Sequence, residues 1–200
     1  MSATTHISQR LVVVVTACLC GPAACGQGVV KSPTCPARVL IIRHAEKPND
    51  VLSVHLSEDG KKRAEALPKL FEKSDDRPEP FPKPDFLIAT RNTKNSQRPA
   101  ETLAPLATGL DLKVDAGFDH QNPAAFAKAI FGTPKYAGKT ILVCWHHGAI
   151  VELAKSLGAD SPPEWKDGVY DRVWDLTFDE HGKVTFRDRP MQLMPGDAKK

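Results

Sequence analysis

A glycine-rich phosphate loop, a G-x-S-x-G nucleophile elbow and Cys/His groups at zinc spacing are all missing from this 200-residue chain. Their absence takes P-loop nucleotide chemistry, α/β-hydrolase acyl transfer and a structural zinc site out of consideration. No internal repeat is present, which excludes solenoids and propellers. The net charge is only +3, so the charge balance does not argue for nucleic acid or an anionic membrane as a partner. The apolar stretch from Leu11 to Leu19 is too short to span a bilayer. Acidic residues are also lacking before Glu46.

That last absence gives the amino terminus a meaning. Arg10, the apolar stretch and the small residues Ala23, Ala24, Cys25 and Gly26 together have the pattern of an export signal over residues 1–26. The expected location is therefore periplasmic or extracellular. A lipid anchor on Cys25 is the alternative, although Pro22-Ala23-Ala24 lacks the leucine of lipoprotein signals. Residues 27–37 read as a linker and 38–200 as one domain. A composition of 41% hydrophobic and 26% charged residues suits a single core. Beyond the signal two cysteines remain, Cys35 and Cys144. If the strands ending at His44 and His147 lie level, these thiols sit six residues out of step, roughly 20 Å along a strand, and no disulfide is expected.

Within the domain, Arg38 to Arg43 reads as a strand buried on both faces, because four apolar residues, three of them β-branched, run together. Ser57 is placed to cap a helix whose Ala64, Leu67, Leu70 and Phe71 share a face. A proline-rich connection over residues 74–84 leads to a second strand from Asp85 to Thr90. Arg98-Pro99 opens a helix carrying Leu103, Leu106, Ala107 and Leu110, and Pro105 predicts a late start or a kink in it. Asp111 to Val114 reads as a short strand, and Ala116 to Gln121 as a loop. Asn122-Pro123 caps an alanine-rich helix that ends at Gly132. Thr140 to Trp145 is a second buried strand, followed by His146-His147-Gly148 and an amphipathic helix that stops at Gly158. Tyr170 to Phe178 and Lys183 to Phe186 flank a hairpin turn, with Trp165, Tyr170 and Trp174 as core or rim aromatics.

Two histidines thus stand at the carboxyl ends of buried strands, where open α/β sheets bind ligands. An arginine precedes the first, and Arg98 lies at a helix entrance, a setting that favours an anion. The pattern points to phosphate chemistry. Arg43-His44-Ala45-Glu46 resembles the R-H-G-E signature of the histidine phosphatase superfamily, with alanine in place of the glycine. Arg98 and Thr102 resemble its R-x-x-x-T motif, and His147-Gly148-Ala149-Ile150 is similar to its H-G-G-V segment. The resemblance covers Arg38 to about Leu157.

That resemblance implies a three-layer α/β/α sandwich with a mostly parallel sheet, phosphoglycerate mutase-like, and a metal-independent phosphomonoesterase without a cofactor. His44 would form a phosphohistidine, while Arg43, Arg98 and His147 hold the phosphoryl oxygens. A glycine after His147 places the chain with the mutase-type branch, whose general acid lies between Arg98 and His147. Asp119 is the candidate acid, with Asp115, Glu46 and His146 as alternatives. The substrate would be a small phosphorylated molecule or a phosphoprotein. Mutase activity is disfavoured by the short chain and by export. Two other functions fit the same residues: an exported phosphate-binding module without turnover, and a lipoprotein with a structural role.

Overall fold

The computed structural model describes residue 1, residues 35–50 and residues 52–199. The expected export signal, with Cys25 and most of the linker, lies outside the described residues.

Alternation along two central strands sets up the whole molecule. In β1 (Arg38–Arg43) and β4 (Thr140–Trp145), which pair in parallel, Leu40, Ile42, Leu142 and Cys144 face one side. Val39, Ile41, Ile141, Val143 and Trp145 face the other. Both sets are buried, so each face needs a helical layer. On the first face lie a 3₁₀ turn over Leu67–Phe71 and α2 (Arg98–Leu110), with α1 (Glu58–Ala66) packed against α2 and, through Ala64, on Ala45 and Leu56. On the second lie α3 (Pro123–Gly132) and α4 (His147–Ser156). Each fully buried Leu, Ile or Val contributes about 1.5–3 kcal/mol, which makes these two strands the least dispensable elements.

The six-stranded sheet is completed by β2 (Phe86–Thr90), β3 (Val114–Phe118), β5 (Arg172–Phe178) and β6 (Val184–Pro190), in the order β3-β2-β4-β1-β5-β6. β1 to β4 run parallel, and β5 and β6 are antiparallel to their neighbours. This is the expected three-layer α/β/α architecture. Because β5 runs against β1, the residues just before β5 return to the carboxyl end of β1, a placement that matters for the site. Cys35 and Cys144 are both buried, and no disulfide joins the two.

Two expectations need correction. The strand after α2 is Val114–Phe118 and not Asp111 to Val114. Asp111 instead takes a left-handed conformation, φ 52°, and closes α2 through its N–H. The edge strand keeps a half-buried Val114, Ala116 and Phe118 between exposed Asp115 and Gly117, a period of two that the glycine obscures. Nor does α2 start late: it begins at Arg98 and runs through Pro105, forgoing the bond that the Glu101 carbonyl would accept.

One close approach fixes α1 against the loop leaving β1. A Cβ on Gly60 would stand 2.4 Å from the Glu46 carbonyl oxygen, which itself accepts the Ser57 N–H at 2.9 Å. Gly60→Ala is therefore expected to lower stability by about 1–3 kcal/mol, since backbone and not a flexible side chain must yield. Denaturant melts of the two proteins check this.

Candidate active site

β1 ends on Arg43, and the next residue continues the pairing: His44 N–H donates to the Trp145 carbonyl at 3.1 Å. Because Arg43 is level with Trp145, His44 stands beside His146 and not His147. The two rings lie 5.4 Å apart, edge to face. His147 is the first residue of α4 and His146 its N-cap. His44 is only 3% exposed, and its Nδ1 lies 2.8 Å from the Ala45 carbonyl oxygen. A carbonyl only accepts, so Nδ1 carries the proton and Nε2 keeps its lone pair. Ala45 is held in turn: its N–H donates to Thr102 Oγ1 at 2.9 Å, and that hydroxyl donates to the Arg98 carbonyl at 2.8 Å. The second half of the arginine motif is thus a clamp joining α2 to the histidine loop.

Arg43 is buried to 1% exposure and gripped from three directions. Its NH1 donates to the Val169 carbonyl at 3.3 Å, and its NH2 to Asp167 at 3.0 Å and the Tyr170 hydroxyl at 3.3 Å. The guanidinium also lies over the Tyr170 ring, 4.0 Å from its centre. Arg98 donates NH1 to the Ser53 carbonyl at 2.8 Å. In both arginines Nε is buried and has no partner among the described residues. A buried donor on a charged group left unpaired costs about 1–3 kcal/mol or more, so two such guanidinium groups lining one cavity are reason to look for an anion. That cavity, about 440 Å³, is lined by Arg43, His44, Lys47, Arg98, His120, Gln121 and the His146 to Ala149 turn. Among the described residues no carboxylate belongs to this lining, but Asp167 stands at its edge, 3.0 Å from Arg43 NH2 and 3.7 Å from His147 Nε2. A second cavity of about 490 Å³ shares Lys47 and Arg98 and extends past Asn49, Asp50 and Ser53 to Tyr170.

No protein-family model and no curated protein matches the sequence. Solved structures do match the fold. The protein histidine phosphatase SixA, complexed with tungstate, is 19% identical, with a TM-score of 0.51 over 77% of this chain and 97% of that one. A mycobacterial glucosyl-3-phosphoglycerate phosphatase, complexed with inorganic phosphate, is 14% identical, TM-score 0.51, over 76% of this chain and 95% of that one. Phosphoglycerate mutase from Bacillus anthracis is 13% identical, TM-score 0.53, over 78% of this chain and 94% of that one. The chain has the histidine phosphatase fold.

Within the histidine phosphatase fold, four of the five predicted site residues come together: His44, Arg43, Arg98 and His147 line one cavity. Asp119 does not join them. Its carboxylate accepts the Gln121 N–H at 2.9 Å in a turn and lies about half exposed, 3.7 Å from His120 Nδ1. The alternatives fare similarly. Asp115 Oδ1 accepts the Gly117 N–H at 3.0 Å on the edge strand. Glu46 Oε1 accepts Arg63 Nε at 2.8 Å, and Arg63 is held on its other side by Asp197 at 2.8 and 2.9 Å. His146 does line the cavity. Sequence reasoning missed Asp167, His120 and the role of Tyr170. For Asp167 and Tyr170 the available signal was topological: an antiparallel β5 beside β1 brings residues 167–171 to Arg43.

Burial is the main reason that His44 is pushed down to about 3; Arg43, His146 and Arg98 push the same way against the bond to Ala45. His146 is pushed down to about 4, again first by burial, then by His120 and Arg98. His147 is lowered by burial and Arg43, with Asp167 opposing. Between pH 6.5, where an unfolded histidine titrates, and about 4, the unfolded chain binds protons that folded His44 and His146 refuse. Stability is therefore expected to fall as pH drops through this window. Urea midpoints at pH 7 and 4.5 read the loss, and His146→Gln should make it shallower.

Proposed function

We propose that the protein is a metal-independent phosphomonoesterase that passes the phosphoryl group of its substrate to Nε2 of His44 and then to water. The observation that carries this reading is a neutral, tautomer-fixed imidazole in a cavity lined by the buried Arg43 and the half-buried Arg98, each with an Nε that has no partner among the described residues. A phosphoryl group supplies what both sides lack: an electrophile for the lone pair and oxygens for the donors. Arg43, Arg98 and His147 hold the three equatorial oxygens, Lys47 adds charge at the rim, and each donor is worth on the order of 3 kcal/mol in the transition state. Every role is filled by a side chain, so the scheme has no step for a metal ion.

The likeness to SixA and to a phosphatase of a sugar-acid ester supports a phosphatase of the histidine type acting on a small phosphorylated molecule or a phosphoprotein. The two joined cavities are sized for the scissile phosphate and a polar leaving group beside it. Export to a periplasmic or extracellular setting belongs to the same proposal and is supported by the pattern of residues 1–26; the mass of the mature amino terminus tests it. The function is tested by hydrolysis of 4-nitrophenyl phosphate in excess chelator. Turnover undiminished by the chelator is expected, and loss on removing divalent ions would sink the mechanism. Saturable phosphate binding with no turnover would make the protein an anion-binding module instead.

A further inference from the structure

We propose that His120 is the general acid and base of this site, with Asp119 as its positioning residue; the proposal rests on the phosphomonoesterase reading. An ester oxygen leaving phosphorus needs a proton; among the described residues no carboxylate belongs to the lining of the cavity that holds His44, and Asp167 at its edge is an acceptor already engaged by Arg43 NH2 at 3.0 Å and the Gly168 N–H at 2.9 Å. His120 does line it, from the loop between β3 and α3. Its ring packs 4.6 Å from that of His146, which in turn packs against His44, so the three imidazoles form a row ending at the nucleophile. At the outer end Asp119 Oδ1 lies 3.7 Å from His120 Nδ1, placed to orient the ring toward the cavity. The loop is pinned where the chemistry needs it, since Trp145 Nε1 donates to the His120 carbonyl at 3.3 Å. The side chain of His120 is 34% exposed, enough to exchange its proton with solvent between turnovers.

The His44 Nε2 lone pair forms the N–P bond as the P–O bond to the leaving group breaks; the departing oxygen keeps that electron pair and takes a proton from the His120 imidazolium. His120, now neutral, removes a proton from water as the water oxygen bonds to phosphorus, and the N–P pair returns to His44. The products are the alcohol and inorganic phosphate, with His120 protonated again. Before reaction, the substrate dianion offsets the added positive charge beside Arg43 and Arg98.

A proton donor reveals itself through the leaving group. On a series of phenyl phosphates running from 4-nitrophenyl to unsubstituted phenyl, His120→Gln in the full chain should lose about 10²–10⁴-fold in kcat on the poorest leaving group and tenfold or less on 4-nitrophenyl. Asp119→Asn should show the same steepening to a smaller degree, restored by Asp119→Glu, and it reads the proposal even where the His120 variant does not fold. Equal losses across the series, or none on phenyl phosphate, overturn the role of His120 while leaving the phosphatase reading intact. A parent protein that hydrolyses no member of the series removes both.

Discussion

Replacing His44 by alanine is expected to abolish turnover of any phosphomonoester, with a fall in kcat on the order of 10⁵-fold or more, because covalent catalysis has no substitute nucleophile here. His146 is the nearest other imidazole, but it is held outside the contact with Ala45 that fixes the tautomer of His44. Folding should survive the change. An alanine leaves Arg43 in place; the lost packing and the lost bond to the Ala45 carbonyl are offset near pH 5 by removal of a group whose burial disfavours its charged form, so the thermal midpoint there should shift little. Inorganic phosphate should still bind, since the guanidinium donors remain. Activity, melting and phosphate binding, measured together, separate loss of the nucleophile from loss of the site.

Arg43→Lys is the second large effect. One ammonium cannot reproduce contacts to Val169, Asp167 and Tyr170 while also presenting a donor to phosphate. The expected loss is about 10²–10³-fold in kcat, as for removal of one donor aimed at developing charge. Phosphate affinity should weaken at the same time. Unlike the His44 change, this one should also destabilise the fold, because the Val169 carbonyl and the Tyr170 hydroxyl lose a buried partner. A variant with full turnover would mean that Arg43 serves the loop over residues 165–171 and not the substrate.

The site was readable in the sequence to the extent that local pattern carries it. Uninterrupted apolar runs mark β1 and β4, and a polar break at each carboxyl end puts His44 and His147 where ligands bind. Arg98 could be placed because Pro99 announces a helix start. What failed depended on register or on distant parts of the chain. Level pairing of Arg43 with Trp145 sets His146, not His147, beside His44, and one residue of register cannot be read from composition. Asp119 has the side chain of an acid in the right loop, yet its carboxylate is used in the turn to Gln121, and the neighbouring imidazole faces the cavity. Asp167 and Tyr170 reach Arg43 from more than 120 residues away, through the antiparallel return of β5. No motif marks that contact.

Phosphorylation of His44 itself is the most direct test of the account. The protein, mixed with 4-nitrophenyl phosphate in excess chelator and quenched in alkali within the first turnover, should carry one phosphoryl group that is stable to base, is lost in acid, and maps by mass spectrometry to His44. An initial burst of nitrophenol matching the enzyme concentration should accompany it where phosphoenzyme hydrolysis is the slower step. Turnover with the label on another residue, or with no phosphoenzyme trapped at any quench time, would contradict the mechanism.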